Sequence, residues 1–334
     1  MKRKALALLS GGLDSTLAVK VMLDQGIEVE ALNFTSPFCT CTSKNAGCKS
    51  EAVRVAEEFG IPIKVMHKGA EYLEVVRNPR HGYGKGMNPC IDCRIFLLRK
   101  AKEYMAESGA QFVITGEVLG QRPMSQRRHT LQIIERESGL EGLLLRPLSA
   151  KHFEPTIPEQ EGWVDREKLL AIQGRSRKEQ MLLAEELDVK NYPCPAGGCL
   201  LTEVSFVSKV RDVFDHSDQL NLRDFRLLKT ARHFRLGSRT KALIGRNEAE
   251  NDLLSHSIQP GEASLRWVEG SSPLGVVMGK VDDSALESAA KILLRYTRAE
   301  VGHQCTVKVV VDGDERLMAV ENGFTEESIE QYRV

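Results

Sequence analysis

Leu6-Ala7-Leu8-Leu9-Ser10-Gly11-Gly12-Leu13-Asp14-Ser15-Thr16-Leu17-Ala18-Val19 sets a short apolar run, a glycine pair and a helical segment in direct succession. Leu6 to Leu9 reads as a short buried strand, and Thr16 to Leu23 as the helix that follows it. Between them the adjacent glycines permit backbone angles and close approaches that a Cβ forbids. The free N–H groups of the loop and first helical turn then make a site for an anion, and phosphate is the expected one.

The alternation continues downstream. Residues 29–34 and 63–66 read as strands, 50–59 and 94–108 as helices, and 112–115 as another buried strand. Repeated strand–helix units predict an α/β domain, a doubly wound parallel sheet with ligands at the carboxyl ends of its strands. Both the glycine loop and Thr115-Gly116-Glu117 follow such ends. GxxxxGK[ST] is absent, as is GxGxxG with its acidic partner. Ser10 to Ser15, SGGLDS, instead resembles the PP-loop of the adenosine-nucleotide α-hydrolase superfamily, whose members cut ATP between the α and β phosphates. The resemblance implies ATP as cofactor, Ser10, Gly11, Gly12 and Ser15 cradling pyrophosphate, and Asp14 helping to organise Mg²⁺.

The 334 residues suffice for one large core and a second domain. No run of eighteen apolar residues occurs, so no membrane span is expected. The basic start Met1 to Lys4 leads straight into the phosphate loop, and a cleaved signal peptide would remove it. The expectation is a cytoplasmic protein. Forty-six basic and forty-six acidic residues exclude an argument from global charge but leave room for a local basic surface. The eight cysteines fall in groups, which in a long cytosolic chain favours catalysis or metal binding over structural disulfides.

Cys39, Cys41 and Cys48 share one loop: they read either as small, partly buried thiols or as three ligands of a Zn²⁺ whose fourth comes from elsewhere. Asn88-Pro89-Cys90-Ile91-Asp92-Cys93 is sharper, because a CxxC leading into a helix directs two sulfurs to one centre and the helix terminus favours thiolate. Locally a thioredoxin-like exchange site would look similar. With a nucleotide loop upstream, the segment resembles the NPCxxC region of tRNA 2-thiouridylases, which implies sulfur transfer through the first cysteine or an iron–sulfur cluster. Thr115 to Gln126 resembles the TGExxGQxxSQ segment of 4-thiouridine synthetases, implying that Gly116, Glu117, Gln121 and Ser125 lie beside the nucleotide and the incoming base. In Tyr192 to Thr202, prolines and paired glycines hold two cysteines on a constrained loop. By the same resemblance Cys199 matches the distant second cysteine, with Cys194 competing. Cys90, Cys93 and Cys199 would then ligate a [4Fe-4S] cluster with an open iron; the same positions suit a persulfide relay with Cys90 or Cys199 as carrier.

This resemblance ends after Thr202, so the domains expected are 1–204, for ATP binding and sulfur transfer, and 205–334. In the latter, strands at 226–229, 240–244, 274–278 and 305–311 with a helix at 284–295 predict an α+β fold, and Cys305 reads as a core residue. Arg223, Arg226, Lys229, Arg232, Arg235, Arg239, Lys241 and Arg246 form a basic stretch, either an ordinary charged surface or a face for RNA phosphates. Leu243 to Leu254 resembles the GRNxxxND segment of NFACT-type RNA-binding domains, with Gly245 and Asn247 shaping a turn and Arg246 as the phosphate contact. The expected function is ATP-dependent tRNA thiolation through an adenylated uridine, with tRNA and a sulfide or persulfide donor as partners; a homo-oligomer is left open. Amide or amidine formation by the same ATP chemistry leaves the two cysteine groups unexplained. A non-enzymatic RNA-binding or metal-regulatory protein leaves SGGLDS unexplained.

Overall fold

Alternation of side chains along β1 (Lys4–Leu8) sets the layering of the N-terminal unit. Ala5, Ala7 and Leu9 face one core with Val29, Ala31, Phe112 and Ile114, while Leu6 faces the other with Leu32 and Val113. A sheet buried on both faces requires a helical layer on each. The computed structural model describes residues 3–40, 48–192 and 199–334, with the backbone alone at Cys48. The chain divides into two compact units, Met1–Glu203 and Val204–Val334.

In the first, the strands after β1 are β2 (Glu28–Thr35), β3 (Ile63–His67), β4 (Phe112–Thr115) and β5 (Leu144–Leu145), and the helices are α1 (Leu13–Leu23), α2 (Cys48–Glu58), α3 (Glu71–Arg77), α4 (Cys90–Ser108), α5 (Arg128–Ser138), α6 (Ile157–Gln160) and α7 (Lys178–Glu186). The sheet order is β3-β2-β1-β4-β5, all parallel. Residues of α1 and α2 fill one core and residues of α4 and α5 the other. The strand order reverses between β1 and β4, which is where such sheets open a crevice at their carboxyl ends. Leu144-Leu145 is the only strand portion of the segment Leu144–Ser149.

The second unit contains α8 (Val204–His216), α9 (Leu222–Leu227), β6 (Arg232–Gly237), β7 (Thr240–Ile244), α10 (Glu248–Ser255), β8 (Ala263–Trp267), β9 (Gly275–Gly279), α11 (Asp283–Arg295), β10 (Gln304–Val311), β11 (Asp314–Glu321) and α12 (Glu326–Glu330). Its antiparallel sheet runs β11-β10-β8-β9-β7-β6, with α11 packed on it through Leu286, Ala290, Leu293 and Leu294. Cys305 is buried in β10, as its apolar strand implies. The expected strand at 226–229 is instead the end of α9 and the turn after it. Asn221 caps that helix by accepting from Arg223 N at 2.9 Å, and Phe225 and Leu228, three apart, are both buried. The unexpected β11 is exposed at most positions, so it lacks the apolar alternation that announces a half-buried strand. No helix among the described residues is long and apolar enough to cross a membrane.

Candidate active site

Gly12 caps α1 without a side-chain bond, which leaves the first-turn N–H groups open to a ligand. Around it the hydroxyls tie the loop to itself. Ser15 Oγ donates to Gly12 O at 2.9 Å, Ser10 and Ser15 hydroxyls meet at 3.1 Å, and Thr16 Oγ1 donates to Gly12 O at 3.1 Å. Asn33 on β2 donates to Leu9 O at 2.8 Å and so fixes where the strand hands over to the loop. Gly11 has φ +76°, and a Cβ there would lie 2.5 Å from Glu51 Cβ on α2. A Cβ at Gly116 would lie 2.4 Å from Ser15 N. The two loops at the switch point therefore touch backbone to backbone, and only glycine permits it.

Between them lies a cavity of about 180 Å³ lined by Ser10, Gly12, Asp14, Ser15, Gly116, Glu117 and Gln121. Of the nucleotide residues expected from sequence, Ser125 is buried but does not line it; its neighbour Gln126 does. Three guanidiniums, Arg94, Arg122 and Arg177, complete the wall. Arg94 lies 3.4 Å from Glu117 Oε1, whereas Arg122 and Arg177 have no carboxylate partner among the described residues. Burial, then the like charge of Arg94, lowers the Arg122 pKa.

Asp14 Oδ2 accepts from Gln121 Nε2 at 3.1 Å, while Oδ1 is buried without a partner. Burial raises its pKa, partly offset by Gln121 and then by Arg177 and Arg122. Glu117, 2 % exposed, accepts from Thr115 Oγ1 and Arg146 Nε, both at 3.3 Å, and leaves Oε1 without a hydrogen bond. Gln126 Oε1 and Arg177 Nε are likewise without a hydrogen bond, and the fully buried Gln180 has none within ordinary hydrogen-bond geometry, though it lies close enough to Asp14 to help lower its pKa. Left without any partner each such atom would cost about 1–3 kcal/mol, so water, a ligand or an ion completes the set.

The thiols stand at one end of α4. The helix begins at Cys90, four residues earlier than expected, so Cys90 and Cys93 share one face of its first turn. Lys68 Nζ is 3.2 Å from Cys93 Sγ and 4.1 Å from the centre of the Tyr72 ring. Burial alone would push the Cys93 thiol up; the Lys68 ammonium and a hydrogen bond with the buried Tyr72 more than reverse it. Cys199 is pushed up to about 11 by burial, and Cys90 is raised by burial and then by Cys93. Leu200 N donates to Phe38 O at 3.0 Å, which holds the Cys199 end of its loop against the segment carrying Cys39. Cys39 and Cys93 both act on Cys199 electrostatically, so Cys39 belongs to this neighbourhood. Cys41, the Cys48 side chain and Cys194 lie outside the described residues, and with them the zinc reading and the Cys194 alternative. Among the described residues, no three His, Cys, Asp or Glu side chains are grouped closely enough to hold a metal ion.

Arg94, Arg122, Arg146, Arg177, Gln180, Lys68 and Tyr72 escaped the reading of the sequence. Arg122 lay inside the segment Thr115 to Gln126, and Arg177 and Gln180 in a stretch that carries none of the motifs. Nothing in a single sequence separates such residues from ordinary surface charge.

In the second unit half of the basic stretch is paired with carboxylates of the same unit. Arg235 Nε and Nη2 donate to Asp212 at 2.8 and 2.7 Å, and Lys241 Nζ donates to the same carboxylate at 2.7 Å. Asp212 is buried, yet these partners hold it down to about 2, while burial lowers Lys241. Arg223 is bound to Glu262, and Arg246 to Glu250. Arg232 lies 4.2 Å over the Tyr296 ring and donates to Gly245 O at 3.3 Å. The GRNxxxND residues also build the turn. Asn247 caps α10 by accepting from Glu250 N at 3.0 Å, and Asn251 Oδ1 accepts from Leu274 N at 2.9 Å. That oxygen sits where a Cβ on Gly245 would fall, at 2.1 Å.

A parallel five-stranded sheet with a glycine loop at its switch point, followed in the chain by an antiparallel-sheet unit, defines the class. Residues 1–155 match the family described as thiamine biosynthesis protein (ThiI), and residues 231–333 match the NFACT protein RNA binding domain. Each match spans less than half of the chain, so residues 1–155 are similar to the one family and residues 231–333 to the other. It is 35% identical over 121 residues to a probable tRNA sulfurtransferase of Thermoanaerobacter sp. (strain X514), covering 35% of this chain and 30% of that protein. It is 29% identical over 118 residues to the tRNA-specific 2-thiouridylase MnmA of Leptospira interrogans, covering 30% and 31%. The chain spans about a third of the length of these curated relatives. A crystal structure of a 4-thiouridine synthetase–RNA complex with bound ATP aligns at 24% identity and a TM-score of 0.37, over 68% of this chain and 52% of that one.

Proposed function

We propose that the protein is an ATP-dependent tRNA uridine thiolase, with residues 1–204 performing the chemistry and 205–334 holding RNA. The observation that carries this reading is one cavity at the switch point where open helix N–H groups, Arg122 and Arg177 meet the unpartnered Asp14 Oδ1. ATP's phosphates fit the cationic wall and the loop of Ser10, Gly11, Gly12 and Ser15. The open Asp14 oxygen fits a hard cation such as Mg²⁺, which would neutralise charge on departing pyrophosphate. Gly116, Glu117 and Gln121 border the same space, and Ser125 is buried in the same segment.

The uracil carbonyl oxygen attacks the α phosphorus, an O–P bond forms, and the α–β anhydride breaks to release pyrophosphate. Sulfide, or the terminal sulfur of a persulfide, then attacks the activated carbon. The C–O bond breaks and AMP leaves with the original oxygen; with a persulfide donor, a second cysteine thiolate then attacks the carrier sulfur, the S–S bond breaks, and a protein disulfide remains as the thiocarbonyl is released. Cys90, Cys93 and Cys199 deliver the sulfur. Their soft sulfurs are the donor type that a [4Fe-4S] cluster takes, two of them on one helical face, but the three are not grouped closely enough here to hold one without rearrangement. Such a cluster, when bound, supplies an open iron able to hold sulfide.

ATP–pyrophosphate exchange with and without tRNA tests the activation step, and exchange that ignores tRNA sinks the thiolase reading. For the sulfur centre, anaerobically purified protein is analysed for iron, acid-labile sulfide and zinc, the last also testing a separate ion at Cys39, Cys41 and Cys48. Iron and sulfide should be lost in each of Cys90→Ala, Cys93→Ala and Cys199→Ala. Cluster-free protein that thiolates fully from a persulfide donor would leave the relay, with Cys90 or Cys199 as carrier.

A further inference from the structure

The second unit contains its own cavity, of about 260 Å³, beneath α8 and α9 at one end of the sheet. It lies below the roughly 300–1,000 Å³ of pockets for drug-sized ligands, so its natural guest is a single small planar group. Its charges are unevenly paired, although Lys241 and Asp224 also act on each other across it. On one side Arg235 and Lys241 share the single carboxylate of Asp212, which leaves a net positive charge. Arg239, exposed and without an ion-pair partner among the described residues, adds a second at the rim. On the other side Arg223 stands between two carboxylates, Glu262 and Asp224, the second only weakly engaged at 3.4 Å. That side is net negative and presents hydrogen-bond acceptors.

Between the two poles the wall is apolar or neutral: Leu227, Leu243, Met278 and the imidazole of His233. His233 Nε2 donates to Thr230 O at 2.8 Å, so Nδ1 carries no proton, and burial keeps the ring uncharged. A ligand that satisfies this cavity needs an anion at one end, N–H donors at the other and a flat apolar body between. Bare phosphate lacks donors, and an apolar ligand leaves both poles unpaired.

We propose that this cavity binds one unstacked nucleotide with an amino-bearing base, its phosphate at Arg239 and its amino edge at Asp224, supplied by single-stranded RNA. The proposal rests on the reading of residues 205–334 as an RNA-holding domain and assigns it a base-selective site. Phosphate contact alone would give no base preference.

The test uses the full chain and 5′-CMP, which avoids the adenosine expected at the other cavity, with 5′-UMP as the carbonyl counterpart. Calorimetry should show CMP binding at least tenfold more tightly than UMP, and an oligocytidine more tightly than an oligouridine of equal length. Arg239→Ala should weaken CMP about tenfold at an unchanged melting temperature, with partial recovery in Arg239→Lys. Ser217→Phe, which fills the cavity from its lining, should abolish CMP binding. Equal affinity for CMP and UMP, or CMP binding indifferent to Arg239→Ala and Ser217→Phe, overturns the site. CMP binding without oligocytidine binding assigns the cavity to free nucleotides and overturns the RNA assignment. If the parent chain binds tRNA but not CMP, only this site falls; if it binds no tRNA, the domain reading falls as well.

Discussion

Arginines are plentiful in both units, but they stand in opposite states. At the switch point of the parallel sheet, Arg122 and Arg177 face a cavity without carboxylate partners, and Asp14, Glu117 and Gln126 keep open acceptors. In the antiparallel unit, Arg223, Arg235, Lys241 and Arg246 are each bound to a carboxylate of the same unit. The density of positive charge in a sequence therefore says little about the charge available to a ligand. Unsatisfied polar groups mark where a partner is still to come; satisfied ones mark where the fold has already spent its charge.

The largest expected effect tests the open site. Asp14→Ala should lower tRNA-dependent AMP formation by about a hundredfold or more while the melting temperature holds. Turnover equal to the parent's would remove Asp14 from the site.

Next comes the closed network. Asp212→Ala strands two buried cations and should destabilise the second unit by about 3–5 kcal/mol, leaving ATP binding in the first intact. Urea unfolding can be followed on Trp267 in a Trp163→Phe background. A change below about 1 kcal/mol would mean that the network is not structural.

The same carboxylate sets a pH dependence. Its folded pKa, about 2, lies below the ordinary 3.8. The stability it contributes is fully present above the unfolded value and is lost as pH falls from about 4 to about 2. We expect about 2 kcal/mol over that window. Asp212→Asn should flatten this part of the stability profile, and a profile as steep as the parent's refutes the assignment.

The smallest effect sharpens the contrast within the basic stretch. Arg226 is exposed and unpaired among the described residues, so Arg226→Ala should reduce the salt slope of tRNA binding by about one and leave stability unchanged. Arg235→Ala should do the reverse. An Arg235→Ala protein that melts like the parent but binds tRNA weakly would break the comparison.

Local patterns carried much of this molecule. SGGLDS between an apolar run and a helix announced a glycine loop at a strand's carboxyl end, and short apolar runs alternating with helical segments located β1 to β4, α1 and α11. The patterns failed where burial is slight or turn chemistry decides. β11 lacks an apolar stripe because one face and its edge meet solvent, and Arg226 to Lys229 reads as a strand until Asn221 is recognised as a helix cap. For the site, the sequence supplied those residues that sit in contiguous motifs: Ser10 to Ser15, Gly116, Glu117, Gln121, and Cys90 with Cys93. Tertiary structure alone decided which distant groups meet them. Arg146 reaches Glu117 only because β5 pairs with β4, Arg177 and Gln180 reach Asp14 only because α7 packs on α1, and Lys68 reaches Cys93 only across β3 and α4. It also decided that Arg235 and Lys241 serve Asp212, since pairing between charges depends on distance in space and on desolvation, neither of which is written in the order of residues along the chain.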